Sequence, residues 1–182
     1  MLLPSLKSDR LLLRPLHTED ADAIQIACSN VSMTRYLGRV PYPYTRQSAT
    51  SFIERCQQGL EGIHYAIIQK DKLIGIIGMA PSTERLQHAF VPSIGYWLDQ
   101  SFWGKGYMSE AVARFLAWYM PLEPTERVRS AVFEDNPRSL SILSRMGFKL
   151  IGRGRGFSPA RSQDVAQIEL ELTANRYYEG VR

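Results

Sequence analysis

The chain predicts one α/β domain, residues 1–182, with helices flanking a single mixed sheet. Three observations carry that expectation. Apolar runs of strand length alternate with segments of helical periodicity. Glycine, proline and capping residues mark nearly every switch between the two. Composition is that of a globular protein, 45% hydrophobic and 22% charged, and 182 residues bury a sizeable core without splitting.

Taken in order, residues 10–16 read as a strand. Thr18 caps a helix through about Cys28, with Glu19 and Asp20 at its positive end. A short helix fits 31–37, and Pro41-Tyr42-Pro43-Tyr44 is a loop. Thr45 caps a helix to about Gln58. Strands follow at about 63–70, 73–80 and 88–98, the first two joined by the turn Lys70-Asp71-Lys72. Pro92 puts a bend in the third, because proline cannot donate to a ladder. A helix from about Gly104 to Met120 shows a core face of Met108, Val112, Phe115, Leu116 and Tyr119. A strand at 127–133, a helix at 137–146 and strands near 148–153 and 164–172 complete the sheet. Arg153-Gly154-Arg155-Gly156-Phe157 reads as a flexible cationic loop.

Several classes are excluded or disfavoured. No apolar run approaches the ~20 residues of a membrane span. Met1 to Lys7 is too short in apolar residues for a signal peptide. Cys28 and Cys56 fall in expected helices and read as two reduced thiols of a cytoplasmic protein. His17, His64 and His88 share no ligand spacing, so no metal is expected.

Residues 93–109 carry the most information. The run Ile94 to Leu98 reads as a buried strand; Gly104-Lys105-Gly106 follows a short turn, and a helix begins at once. Strand, glycine turn and helix present bare backbone N–H groups to an anion, and the helix dipole adds to the attraction. The order therefore points to a diphosphate ligand, although it also fits a tight turn with no ligand. A P-loop is excluded because Tyr107, not Ser or Thr, follows Gly106. A dinucleotide fingerprint would need an N-terminal βαβ unit, and this motif lies past mid-chain.

A second constellation is Asn136-Pro137-Arg138-Ser139 through Met146-Gly147-Phe148. Asn136 is a good N-cap, Pro137 suits the first helical position and Gly147 ends the helix. Leu140, Leu143 and Met146 form one apolar face. Together with Tyr96-Trp97-Leu98 and Trp103-Gly104-Lys105-Gly106-Tyr107-Met108-Ser109-Glu110-Ala111, this pattern resembles the GNAT superfamily of acetyl-CoA-dependent N-acetyltransferases, in its RimJ/RimL-like branch. Ser8 to Leu16 is similar to the family's opening strand and Leu73 to Gly78 to its third, so the resemblance covers nearly the whole chain.

That resemblance implies a mostly antiparallel sheet of about six or seven strands, splayed between the fourth and fifth. It implies acetyl-CoA as co-substrate and direct attack by an amine. By position, the Leu98 amide would hold the developing oxyanion, the charge most worth stabilising. Trp97 and Asp99 would line the acetyl and pantetheine arm. Trp103, Gly104, Lys105, Gly106, Tyr107, Met108 and Ser109 would wrap the diphosphate, with Arg145 beside it. Asn136 would bond the arm. Many members use a tyrosine to assist the departing thiolate; here that position is Leu143, and Ser139 is the implied substitute, unless it is simply a surface serine. Tyr36, Tyr42 and Tyr44 cluster where the family grips its acceptor, though for any single tyrosine simple packing of a proline-rich loop is the better explanation.

No general base stands out among Glu84, His88, Glu110, Glu134 and Asp135. A site without a strong base suits an N-terminal α-amine, with a pKa of about 7.7–8.0, better than a lysine near 10.4. The expected acceptor is therefore a protein N-terminus. A small-molecule amine acetyltransferase and a non-catalytic acyl-CoA-binding module remain open. Net charge is +4, but Arg127 to Arg161 holds eight cations against two anions. That segment could attract the anionic co-substrate or dock on ribosome or RNA. Either a monomer or a homodimer is compatible.

Overall fold

A computed structural model describes residues 3–81, 85–86, 89–122 and 126–180. The elements in chain order are β1 (Leu6–Lys7), β2 (Leu12–Pro15), α1 (Ala21–Cys28), α2 (Val31–Thr34), α3 (Arg46–Gln57), β3 (Ile63–Gln69) and β4 (Lys72–Ala80). A small hairpin, β5 (Arg85–Leu86) and β6 (Ala89–Phe90), leads to β7 (Ser93–Leu98) and α4 (Tyr107–Tyr119). The chain ends with β8 (Arg127–Phe133), α5 (Pro137–Arg145), β9 (Lys149–Ser158), β10 (Gln163–Thr173) and α6 (Ala174–Gly180).

Eight strands form one sheet in the order β1-β2-β3-β4-β7-β8-β10-β9. Every neighbouring pair is antiparallel except β7 and β8, which are parallel and share the single register pair Ser93↔Arg129. Two bonds seal that junction: Arg129 N–H donates to Pro92 O at 2.9 Å, and Ser130 Oγ donates to Ile94 O at 3.1 Å. Beyond Ile94 the two strands part.

Each sheet face has its own core. Strand residues Leu13, Tyr65, Ile67, Ile74, Ile77, Ile94 and Leu98 bury against Val112, Phe115 and Leu116 of α4 and Leu143 of α5, with alternation in β4 broken by an irregularity in its pairing with β3. The opposite set, Ala66, Ile68 and Ile76, buries against Ile24 and Cys28 of α1, Met33 of α2 and Ala49 and Ile53 of α3.

Three expectations are refined. The opening strand is two short strands, because Ser8 N–H donates to Leu11 O at 3.0 Å and turns the chain between them. Thr18 does not cap α1. Residues Thr18–Asp20 form a 3₁₀ turn, and the capping oxygen belongs to Asp20, which accepts from His17 N–H at 2.8 Å and from both Arg14 Nη atoms at 2.7 and 2.8 Å. Burial alone would raise the Asp20 pKa; the Arg14 and His17 bonds outweigh it and hold the carboxyl below its ordinary value. Residues 153–157 are strand, not loop. The glycines of β9 leave room for the long side chains of β10: a Cβ at Gly156 would run into Gln167 Oε1, and one at Gly152 would meet Glu169 Oε2 at 3.0 Å.

Candidate active site

The parting of β7 from β8 opens a groove of about 1340 Å³ that reaches both faces of the sheet. Its β7 wall is set by strand parity. Asp99 N–H donates to Ile74 O at 2.8 Å, so odd residues of β7 face β4 with their backbone groups. The N–H and C=O of Tyr96 and Leu98 then point away from β4, towards the opening. Two bonds agree with that parity: Ile94 O accepts from Ser130, and Leu98 O accepts from Trp103 Nε1 at 2.7 Å. The Leu98 amide is thus aimed where the fold leaves no strand to receive it. Trp97 lines the groove, whereas Asp99 has its amide engaged by β4 and its carboxylate engaged by Ser101 N–H at 2.8 Å and Ser101 Oγ–H at 2.6 Å.

The glycine turn forms the outer lip. Gly104 and Gly106 have φ of 74° and 80°, a backbone region that strains any residue with a Cβ. The first ladder bond of α4 is Glu110 N–H to Gly106 O at 3.1 Å, so the amides of Tyr107, Met108 and Ser109 lie ahead of the helical ladder. All three residues line the groove. Lys105 does not: its Nζ folds back to Ser101 O at 2.9 Å. Arg10 braces this turn, donating from Nη1 to Lys105 O at 3.0 Å and packing 4.6 Å from the Tyr107 ring centroid. Arg145 reaches over from α5, its Nη2 at 3.3 Å from Ser109 Oγ. Free amides, a helix N-terminus and this guanidinium suit a diphosphate.

The facing lip is the first turn of α5. Asn136 Oδ1 accepts from Ser139 N–H at 3.2 Å, which leaves the amide NH₂ of Asn136 for a ligand. Ser139 Oγ lies 2.9 Å from the phenol oxygen of Tyr96. Leu143 is fully buried in the core. Arg138 lies 5.0 Å from the Trp103 ring centroid, closing the groove near the turn. Tyr96 is a site residue that the sequence reading did not single out. The signal was available: counting by two from Leu98 puts residue 96 on the same edge and face.

On the α1–α3 face, Tyr36 lines the groove beside Trp103, at 6.4 Å between ring centroids. Tyr44 also lines it but is 7% exposed and packed in the core. Tyr42 is exposed and is not among the lining residues. His64 is a second lining residue that the sequence did not reveal. Its ring lies over Gly78, where a Cβ would collide with it, and meets Phe52 edge-on at 5.3 Å. Burial pulls its pKa down to about 4, and Nδ1 is buried without a hydrogen-bond partner in the structure. Gly95, paired with Gly78, has open space where its side chain would be.

The charged groups sort clearly. Glu110 accepts from Ser8 Oγ, Arg10 N and Arg10 Nε at 2.7–2.8 Å. Glu134 pairs with Arg153, and Asp135 binds Arg161 through two bonds of 2.8 and 3.0 Å. These three carboxylates are structural anchors; Glu84 and His88 lie outside the described residues. Within the basic stretch Arg127 and Arg129 both meet Glu171, whereas Arg138, Arg145, Lys149, Arg153 and Arg155 are exposed. Among the described residues, no cluster of His, Cys, Asp or Glu could hold a metal, and no helix is long and apolar enough to cross a membrane.

Comparison with known proteins bears on the same groove. The sequence matches the Acetyltransferase (GNAT) domain over residues 10–149. It is 32% identical over 156 residues to YoaA of Bacillus subtilis, described as an uncharacterized N-acetyltransferase; the match covers 83% of this chain and 86% of that one. It is 31% identical over 109 residues to the ribosomal-protein-serine acetyltransferase of Escherichia coli, covering 59% of this chain and 58% of the relative. The fold resembles that of Mycobacterium smegmatis RimJ, solved with CoA-disulfide, at a TM-score of 0.77 and 17% identity over 98% of this chain and 94% of that one. Since the domain match takes in β2 through α5 and so both lips of the cleft, the chain belongs to the GNAT family of acetyltransferases and is an N-acetyltransferase that takes its acetyl group from acetyl-CoA.

Proposed function

We propose that the chain acts as one domain, residues 1–182, in the cytoplasm, and that its acceptor is the N-terminal α-amine of a protein. The charge of the groove carries this reading. Among the described lining residues Glu61 is the sole carboxylate, and Arg55 Nε holds it at 2.6 Å. A polyamine or aminoglycoside would need unpaired acids there to replace its hydration. A peptide end brings one amine with a pKa of about 7.7–8.0, of which roughly a tenth is neutral at pH 7 without a strong base. The apolar floor of Ile24, Met33, Phe52 and Ile76 suits a peptide side chain. The likeness to ribosomal-protein acetyltransferases supports the same class. Lys149 and Arg155, exposed on β9, offer a contact for an acidic or RNA-bound target.

In this reading acetyl-CoA supplies an activated acyl group as a thioester. The Leu98 N–H takes the developing negative charge on the carbonyl oxygen. The NH₂ of Asn136 holds the arm, and the Ser139 hydroxyl donates to the sulfur as the C–S bond breaks. The amine proton leaves to water. A thiol with a pKa of about 8.5 departs with only this modest help.

The test is CoA release with a panel of acceptors. A short peptide with a free N-terminus is acetylated, the same peptide blocked at its N-terminus but carrying lysine is not, and the rate climbs through about pH 7–8 as the α-amine loses its proton. A much higher kcat/KM for the blocked peptide or for spermidine assigns the small-molecule or lysine class instead. Tight acetyl-CoA binding with no turnover of any amine would show a binding module.

A further inference from the structure

The Tyr96 phenol oxygen sits 2.9 Å from Ser139 Oγ and 3.4 Å from Ser139 O, so one side chain spans the cleft from β7 to the first turn of α5. Burial pushes this phenol up to about 12, with the Ser139 bond pulling the other way, so it stays protonated at neutral pH. A buried phenol proton needs an acceptor, and the nearer one is Oγ. A serine hydroxyl carries one proton and two lone pairs. Accepting from Tyr96 occupies a lone pair and leaves the serine proton free to turn into the cleft. The same bond polarises the serine O–H and makes it a better donor. Leu143, one helical turn further along α5, is apolar and fully buried and offers no donor of its own.

We propose that Tyr96 is a positioning residue for the transfer step: it donates to Ser139 Oγ and so fixes the serine O–H towards the departing sulfur. The inference rests on the reading that Ser139 assists that departure. In the step itself the amine nitrogen bonds to the carbonyl carbon, and the C–S bond breaks with its electron pair going to sulfur. One amine proton goes to water, and the sulfur takes a proton from solvent. Tyr96 and Ser139 both keep their protons and act through hydrogen bonds alone. The signature is therefore a kcat effect transmitted through Ser139, with acetyl-CoA binding little changed.

Four proteins test this: wild type, Tyr96→Phe, Ser139→Ala and the double variant. Ser139→Ala should lower kcat roughly tenfold and Tyr96→Phe about fivefold, each with acetyl-CoA KM within about twofold of wild type. The double variant should be no slower than Ser139→Ala alone, because Tyr96 has nothing left to position. Difluorotyrosine at position 96 covers the case in which Tyr96→Phe destabilises the fold. It fills nearly the same space with a more acidic phenol, so kcat should fall at an alkaline pH where wild type is still active. An unchanged kcat in Tyr96→Phe, beside a slowed Ser139→Ala, overturns the positioning role and leaves the Ser139 reading standing. Equal slowing by Tyr96→Phe in both backgrounds, or an unshifted pH profile with difluorotyrosine, overturns it too. An unchanged kcat in Ser139→Ala overturns both.

Discussion

Asn136 does two jobs with two ends of one amide. Its Oδ1 caps α5 at Ser139 N–H, which leaves its NH₂ available to a ligand in the groove that Asn136 lines. The two can be separated. Asn136→Ser keeps a capping oxygen but removes the amide donor, so melting temperature holds while acetyl-CoA KM rises several-fold, as expected for one lost hydrogen bond of about 1 kcal/mol. Asn136→Ala loses both, adding about 1 kcal/mol of destabilisation by denaturant titration. A serine variant with wild-type KM would limit Asn136 to its cap. Asn-Pro before an apolar face was legible in the sequence because a cap is a local event between residues three apart. The partner of Ser139, forty-three positions upstream, was not.

Among the elements, α4 shows how the glycine-turn lip of the groove is held. Glu110 sits one turn into that helix and gathers Ser8 and Arg10, and Arg10 in turn holds Lys105 O. Burial would raise the Glu110 pKa, but the bonds from Arg10 N–H, Ser8 Oγ and the Arg10 guanidinium win and hold it below its ordinary value. A carboxyl lowered by folding stabilises above its unfolded pKa and loses that contribution as pH falls through its folded value. Glu110→Gln should therefore cost about 1 kcal/mol at pH 7, discounted for the half-exposed Arg10, with the gap from wild type closing in acid as the lowered carboxyl takes up its proton. Acetyl-CoA KM should rise as well, since Arg10 loses the carboxylate that steadies it against the turn. A stability gap that persists unchanged in acid, measured by denaturant titration, would contradict this account. The glycine turn and α4 were legible because strand, turn and helix follow one another in sequence. The Glu110 anchor joins residues a hundred apart and left no local trace.

At the scale of the whole molecule, the groove has two chemically distinct ends joined through the sheet, and Gly95 sits between them. Strand alternation puts its missing side chain on the α1–α3 face with Trp97, opposite Leu98 and Tyr96. A Cβ there meets only open space, so Gly95→Leu should fold normally. It should raise acceptor KM about tenfold while acetyl-CoA KM stays within about twofold. Equal shifts in both KM values would mean that the two ends are not separate. The sequence by itself determined α1 to α5, most strands, the glycine turn ahead of α4 and the family, because periodicity, capping and glycine signals act over a few residues; α6 went unread. It read residues 153–157, the second half of β9, as a loop, because only the facing Gln167 and Glu169 fill the space that its glycines leave. Tertiary structure alone decided which carboxylates are tied up as anchors and that Tyr96 meets Ser139. Each of those is a contact between segments far apart in the chain, and its energy depends on packing that no local pattern records.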